Sequence, residues 1–233
     1  ETIQAGREKL VSIQGNAGSG KSVVCKKLLK GKEYVLVTRA ENLSTGKKVN
    51  ELWDCDVEDA ILWLENKPLY IFIDAIEFIA DCGDNAFPLL QEIYRLADKY
   101  SNVYIITSCR TTDSSAFMKI NTKYRIKTYE IRDWAKNKIK KVAKSNPIIL
   151  SLQQNKKYSD LLCVPFYLNL IVSGGFVEEN INDENNFRNL IWERIICLKD
   201  KCRKYGVSQS DVRKNVERIV FERARSFVVG VDS

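Results

Sequence analysis

Eight consecutive residues, Gly15-Asn16-Ala17-Gly18-Ser19-Gly20-Lys21-Ser22, have the types and spacing to cradle a polyphosphate. They fit the pattern G-x-x-x-x-G-K-[ST]. In such a loop successive backbone N–H groups converge on phosphate oxygens, and the three glycines allow the φ values this needs. Lys21 brings a point charge to the β- and γ-phosphates, and the Ser22 hydroxyl is placed to ligand Mg2+. Val23 completes the stretch expected to line a bound nucleotide. The flanks decide against a chance Gly/Ser-rich turn. Leu10-Val11-Ser12-Ile13-Gln14 alternates like a buried strand, and Ser22 to Lys30 reads as a helix closed by Gly31. The helix N-terminus then directs its positive dipole end at the loop.

A second group supplies carboxylates. Leu69-Tyr70-Ile71-Phe72-Ile73-Asp74 is an apolar strand ending in an acid, the form of a Walker B strand. Asp74 at that strand end can hold Mg2+ opposite Ser22. Hydrolysis also needs a group to orient or deprotonate the attacking water, and Glu77 is the candidate. Its plainer reading is a solvated acid in the first turn of a helix, where negative charge is favourable.

Val103 to Arg110 is another apolar strand with a polar end, Thr107-Ser108-Cys109-Arg110. If it lies between the first two strands, Thr107, Ser108 and Arg110 emerge beside the γ-phosphate. Arg110 would then sense that phosphate through charge-assisted hydrogen bonds. Its plainer reading is a loop arginine paired with a surface carboxylate. Base selectivity is read from an absence: Asn66-Lys67-Pro68 and Thr122-Lys123-Tyr124 lack the Asp of the guanine-reading N/T-K-x-D element, which favours ATP over GTP. No LSGGQ signature occurs, which argues against a transporter ATPase subunit.

These residues need a scaffold. Strand-like runs recur at Leu10–Gln14, Tyr34–Thr38, Leu69–Asp74, Val103–Thr107 and Ile126–Ile131. Between them lie helical patterns over Ser22–Lys30, Val57–Glu65, Pro88–Lys99 and a short piece near Ser114–Lys119, with Pro88 expected as the first helical residue. Ala40–Asp56 is a long polar connection. Strands alternating with helices predict a parallel sheet covered on both faces. From Asp133 onward the pattern is helical, with a long helix over Phe187–Cys202 and a last one opened by Ser208-x-x-Asp211. The boundary is drawn at 132: residues 1–132 form the nucleotide-binding α/β domain and 133–233 a helical subdomain.

The 233 residues are 45% hydrophobic and 29% charged, as in a soluble globular protein. Seven cysteines without a C-x-x-C pair, and no histidine, remove the common zinc sites and any His-based catalysis. An unpatterned odd cysteine count suits a reducing cytoplasm. The net charge of +7 permits nucleic-acid contact without indicating it. No apolar run is long enough to span a bilayer and no signal peptide opens the chain. A first residue of Glu suggests a domain cut from a longer polypeptide.

Taken together the chain resembles the NACHT-like branch of the STAND NTPases, within the AAA+ group. The resemblance rests on Gly15–Ser22, on Ile71-Phe72-Ile73-Asp74-Ala75-Ile76-Glu77, on Ile106-Thr107-Ser108-Cys109-Arg110 and on Leu162-Cys163-Val164-Pro165-Phe166-Tyr167-Leu168. It implies a five-stranded parallel sheet in the order 5-1-4-3-2, sandwiched by helices and followed by a small all-α lid. It also implies ATP or ADP with Mg2+ as ligands, Glu77 as second acid, the Ser-Cys-Arg strand end as sensor, and Pro165 packed near the nucleotide. A simple first position of a helix is the other reading of Pro165. Such proteins are ATP-driven switches: the ADP state is closed, exchange for ATP permits homo-oligomeric assembly, and sensor and effector modules lie outside a segment of this kind. Bacterial relatives often serve in defence against phage. Two departures bear on turnover. Ala75 stands where the family often has glycine, and Phe78 where it often has a further acid.

Two rivals follow from other residues. Lys136-x-Lys138-x-Lys140-Lys141-x-x-Lys144 and the basic last helix would suit a DNA-associated AAA+ ATPase. However, Lys136, Lys140 and Lys144 share one helical face opposite Ile139, Val142 and Ala143, the pattern of an ordinary amphipathic helix with a solvated side. The other rival is a module locked on its nucleotide with little turnover.

Overall fold

The computed structural model describes residues 8–45, 48–81, 86–112, 124–154, 156–173 and 199–229. Five strands and their crossovers open the chain. They are β1 (Leu10–Gly15), α1 (Lys21–Leu29), β2 (Tyr34–Arg39), α2 (Val57–Trp63), β3 (Leu69–Asp74), α3 (Ala86–Lys99), β4 (Val103–Arg110) and β5 (Lys127–Ile131). Every neighbouring pair is parallel and the order is β2-β3-β4-β1-β5, the expected 5-1-4-3-2 read from the other edge. β4 thus separates the strand that feeds the glycine loop from the strand that ends in Asp74.

Alternation explains why both faces are covered. Leu69, Ile71 and Ile73 of β3, with Val103 and Ile105 of β4, face a core shared with Val57 and Ile61 of α2 and Leu89, Leu90 and Ile93 of α3. Tyr70, Phe72 and Ile106 face the other way, with Val11, Ile13, and Cys25 and Leu29 of α1. Burial pushes the Cys25 thiol up to about 12, with the Asp74 charge acting in the same direction, so it stays protonated in this core.

The edges of the elements differ from expectation in instructive ways. β4 runs three residues past Thr107 because its pairing with β1 continues to Gly15 opposite Arg110. α3 begins at Ala86, so Pro88 is its third residue, still in the first turn where no intrahelical N–H partner is needed. The polar connection after β2 holds two short 3-10 helices, Ala40–Thr45 and Val49–Glu51. Glu77 lies in a third, Ile76–Asp81. The helix expected near Ser114–Lys119 and most of that expected over Phe187–Cys202 lie outside the described residues.

After β5 the described elements are all helical: α4 (Lys136–Ala143), α5 (Pro147–Gln154), α6 (Lys156–Leu161), α7 (Pro165–Ser173), α8 (Lys199–Lys204) and α9 (Gln209–Val229). At the start of α9, Ser208 Oγ accepts the Asp211 N–H at 3.1 Å and donates to the Asp211 carboxylate at 2.6 Å. By contacts the chain forms two compact units, Glu1–Lys141 with Ser159–Leu168, and Val142–Tyr158 with Asn169–Ser233. Among the described residues no helix is long and apolar enough to cross a membrane.

Candidate functional site

The chain leaves β1 at Gly15, turns through residues 16–20 and enters α1 at Lys21. Gly18 and Gly20 have φ of +77° and +92°, which only glycine adopts without strain. Gly15 is needed for a different reason. A Cβ there would stand 2.6 Å from Ser19 Oγ and 2.7 Å from the Ile131 carbonyl oxygen of β5. Crowding against the next strand fixes that glycine, so the expectation of three conformationally demanding glycines is corrected to two. Asn16, Ala17 and Gly18 are exposed, Ser19 is buried beneath them, and Val23 is exposed on the first turn of α1. Gly20 caps α1 without a side-chain acceptor, leaving the first N–H groups of the helix for an anion.

Lys21 curls over this loop, its Nζ donating to the carbonyls of Gly15 at 2.8 Å and Asn16 at 2.9 Å. Burial holds its pKa below the ordinary lysine value. The Glu77 charge opposes that shift, the Arg110 charge adds to it, and Cys109 and Asp74 oppose it. Ser22 Oγ donates to both oxygens of Asp74, at 3.1 and 3.2 Å. The hydroxyl at the head of α1 and the acid at the end of β3 therefore face each other across the tip of β4. With the strand order above, that juxtaposition decides the fold. It is a P-loop NTPase fold.

Around this P-loop, two features suit a Mg2+-bound polyphosphate. Ser22 and Asp74 offer two protein oxygens, and Mg2+ is commonly held by one or two such ligands, with phosphate and water supplying the rest. Ser19 Oγ and Glu77 Oε2 are buried with no hydrogen-bond partner among the described residues. Such orphaned atoms are uncommon in folded proteins and suit groups that meet a ligand.

Glu77 and Arg110 are brought together. Arg110 Nε lies 3.2 Å from Glu77 Oε1, with the glutamate side chain 8% exposed and the arginine side chain 47%. The guanidinium also sits over the Phe78 ring, 5.7 Å from its centroid. Glu77 is thus no solvated first-turn acid, and the partner of Arg110 is a buried carboxylate. Thr107 does not emerge at the strand end: it is fully buried and its Oγ1 donates to the Val11 carbonyl within the sheet. β4 continues three residues beyond it, to Arg110, so Thr107 stays inside the paired strand.

Pro165 is the first residue of α7. The next N–H, that of Phe166, donates to the Gly18 carbonyl at 3.1 Å. A Cβ on Gly18 would lie 2.9 Å from the Phe166 Cβ and 3.2 Å from Val164 Cγ1. Residues 164–166 therefore rest on the P-loop, inside the first unit. In the basic run, Lys136 pairs with Asp160 at 2.6 Å while Ile139 and Ala143 are buried, as an amphipathic helix requires.

Sequence reasoning missed two relationships. One is the Gly18–Phe166 contact, which no local pattern announces. The other is Ser108, whose Oγ accepts the Ala75 N–H at 2.7 Å and donates to Asp74 Oδ1. Extending the β3–β4 register one residue beyond Ile73 opposite Thr107 would have set Ser108 beside Asp74.

No protein-family model matches the chain, and no curated protein matches it. Among solved structures it is similar to Hsp104 in a closed state with ATPγS and FITC-casein, seen by electron cryo-microscopy, at 12% identity and a TM-score of 0.39. The match covers 60% of this chain and 27% of that one, so the chain spans about a quarter of that protein's length.

Proposed function

We propose that the chain is an ATP-binding, slowly hydrolysing switch domain of a NACHT/STAND-like signalling protein, its nucleotide state controlling conformation and homo-oligomerisation. The observation that carries this reading is the Ser22–Asp74 pair at the foot of a loop that holds Lys21. A bound Mg2+–ATP would supply a labile phosphoanhydride and a Lewis acid beside it. The chain's own residues do the rest. Lys21 and the N–H groups of the loop neutralise phosphate charge, and Ser22 and Asp74 orient the cation. Glu77 Oε2, buried and unpartnered, is the atom suited to accept the proton of an attacking water. Arg110 is the cation that would answer to the γ-phosphate, which gives ATP and ADP different contacts and so a basis for a population shift.

On this reading residues 1–132 bind the nucleotide, residues 133–233 act as its helical lid, and Pro165 packs beside the ligand. Sensor and effector modules are separate segments, the setting is cytoplasmic, and a role in defence is implied through the resemblance alone. The absence of a guanine-reading element supports ATP over GTP. Titration with a fluorescent ATP analogue and Mg2+ tests the site: binding should be lost in Lys21→Ala, and retained affinity in that variant would overturn the assignment.

One observation favours a second reading, a module that holds nucleotide with little turnover. Glu77 is engaged by Arg110, and Phe78 covers the guanidinium where the resembling family often has another acid. Phosphate release by the wild type and by Glu77→Gln separates the two. A slow release abolished by the variant supports the ATPase, and no release from either supports the module.

A further inference from the structure

Ser108 is 1% exposed, two residues before the end of the strand between the P-loop strand and the Asp74 strand. A hydroxyl carries one proton, so the direction of its hydrogen bonds is determined. Its oxygen accepts the Ala75 N–H at 2.7 Å, and its proton goes to Asp74 Oδ1. Ala75 has φ of +60°, a left-handed conformation that is strained for an alanine. The same serine therefore holds the acid and the strained residue that follows it, and that residue begins the turn carrying Glu77.

Resting on the nucleotide reading above, we infer that Ser108 is a positioning residue for the Mg2+-bearing carboxylate, fixing Asp74 Oδ1 so that Oδ2 faces the cation. Ser22 is the other side-chain donor to Asp74 among the described residues. A Ser22 oxygen that gives a lone pair to a metal keeps its proton but must orient it to suit the cation. Ser108, whose proton is committed to Asp74 Oδ1, holds the carboxylate without that constraint. Hydrogen bonds to metal-ligating carboxylates set ligand orientation, and their removal typically weakens metal affinity 10- to 100-fold.

The experiment titrates a fluorescent ATP analogue into the chain in EDTA and across a Mg2+ series. Ser108→Ala should keep the wild-type affinity in EDTA yet need about ten-fold more Mg2+ to reach half of the metal's effect. Ser108→Thr, which keeps the hydroxyl, should restore the wild-type midpoint. A serine that only fills space would leave that midpoint unmoved. If Ser108→Ala fails to fold, Ser108→Cys carries the test, because a thiol of similar size is a weaker donor and should shift the midpoint the same way. A Mg2+-responsive wild type matched by Ser108→Ala, or by Ser108→Cys in its place, overturns this inference alone. A wild type blind to Mg2+ overturns the nucleotide reading and this inference with it.

Discussion

Arg110 Nε and Glu77 Oε1 are 3.2 Å apart, so the arginine expected to sense phosphate and the acid expected to activate water are each other's partners. Removing the guanidinium leaves a carboxylate that is 8% exposed without its counter-charge. Arg110→Ala should therefore destabilise the fold by about 1–2 kcal/mol, reduced from the buried-pair figure because the arginine is half in solvent. Glu77→Gln in the same background should recover part of that loss. Urea denaturation of the two single variants and the double measures the coupling, and additive losses would show that the pair contributes nothing.

Gly18 and Gly20 share a left-handed backbone but not their surroundings. A Cβ on Gly20 meets nothing within 4 Å, whereas one on Gly18 meets Phe166 Cβ at 2.9 Å. Gly20→Ala should cost about 1–2 kcal/mol from conformation alone. Gly18→Ala should cost more, and it should weaken nucleotide binding further because the clash displaces the loop. Thermal melts and titrations of both variants check the ranking, which equal losses would refute.

Ala75 bears its left-handed φ without being a glycine. Ala75→Gly relieves about 1–2 kcal/mol of strain but adds about 0.4–1 kcal/mol of unfolded-chain entropy, so it should be neutral to slightly stabilising. Ala75→Val, β-branched, should be clearly destabilising. A melt in which valine is tolerated and glycine is not would contradict the turn described.

The pKa of Lys21 is lowered by burial, so the free site begins to lose this proton at lower pH than an ordinary lysine does. Bound phosphate favours the charged form, and binding then takes up a proton. Nucleotide affinity should fall as pH rises through that lowered value. For the fold the sign is opposite: burial penalises the charged form, and that penalty fades as pH climbs through the lowered value. Binding constants across this range decide the matter, and a flat profile would remove Lys21 from the phosphates.

Much of this was legible in the sequence where local chemistry repeats. β3 was expected at Leu69–Asp74 and is observed there, because an unbroken apolar run needs burial on both faces and ends where the acid needs water. The glycine loop was legible for a similar reason. What stayed hidden depends on distance along the chain or on backbone conformation. Ala75 carries no sign of its φ, and a helix-like pattern over Ile76-Glu77-Phe78 does not disclose a 3-10 turn. Ser108 reads as one more polar strand end until register puts it against Asp74. The buried pairing of Arg110 joins two residues whose sequence contexts describe each of them as facing a ligand.

Residues 159–168 return to the first unit after residues 142–158 have left it. A recombinant fragment stopped at residue 132 would contain every described strand and the whole glycine loop. It would still strip Val164 and Phe166 from Gly18 and leave the Gly18 carbonyl without the Phe166 N–H. A piece that keeps these contacts on the loop must therefore reach at least Phe166.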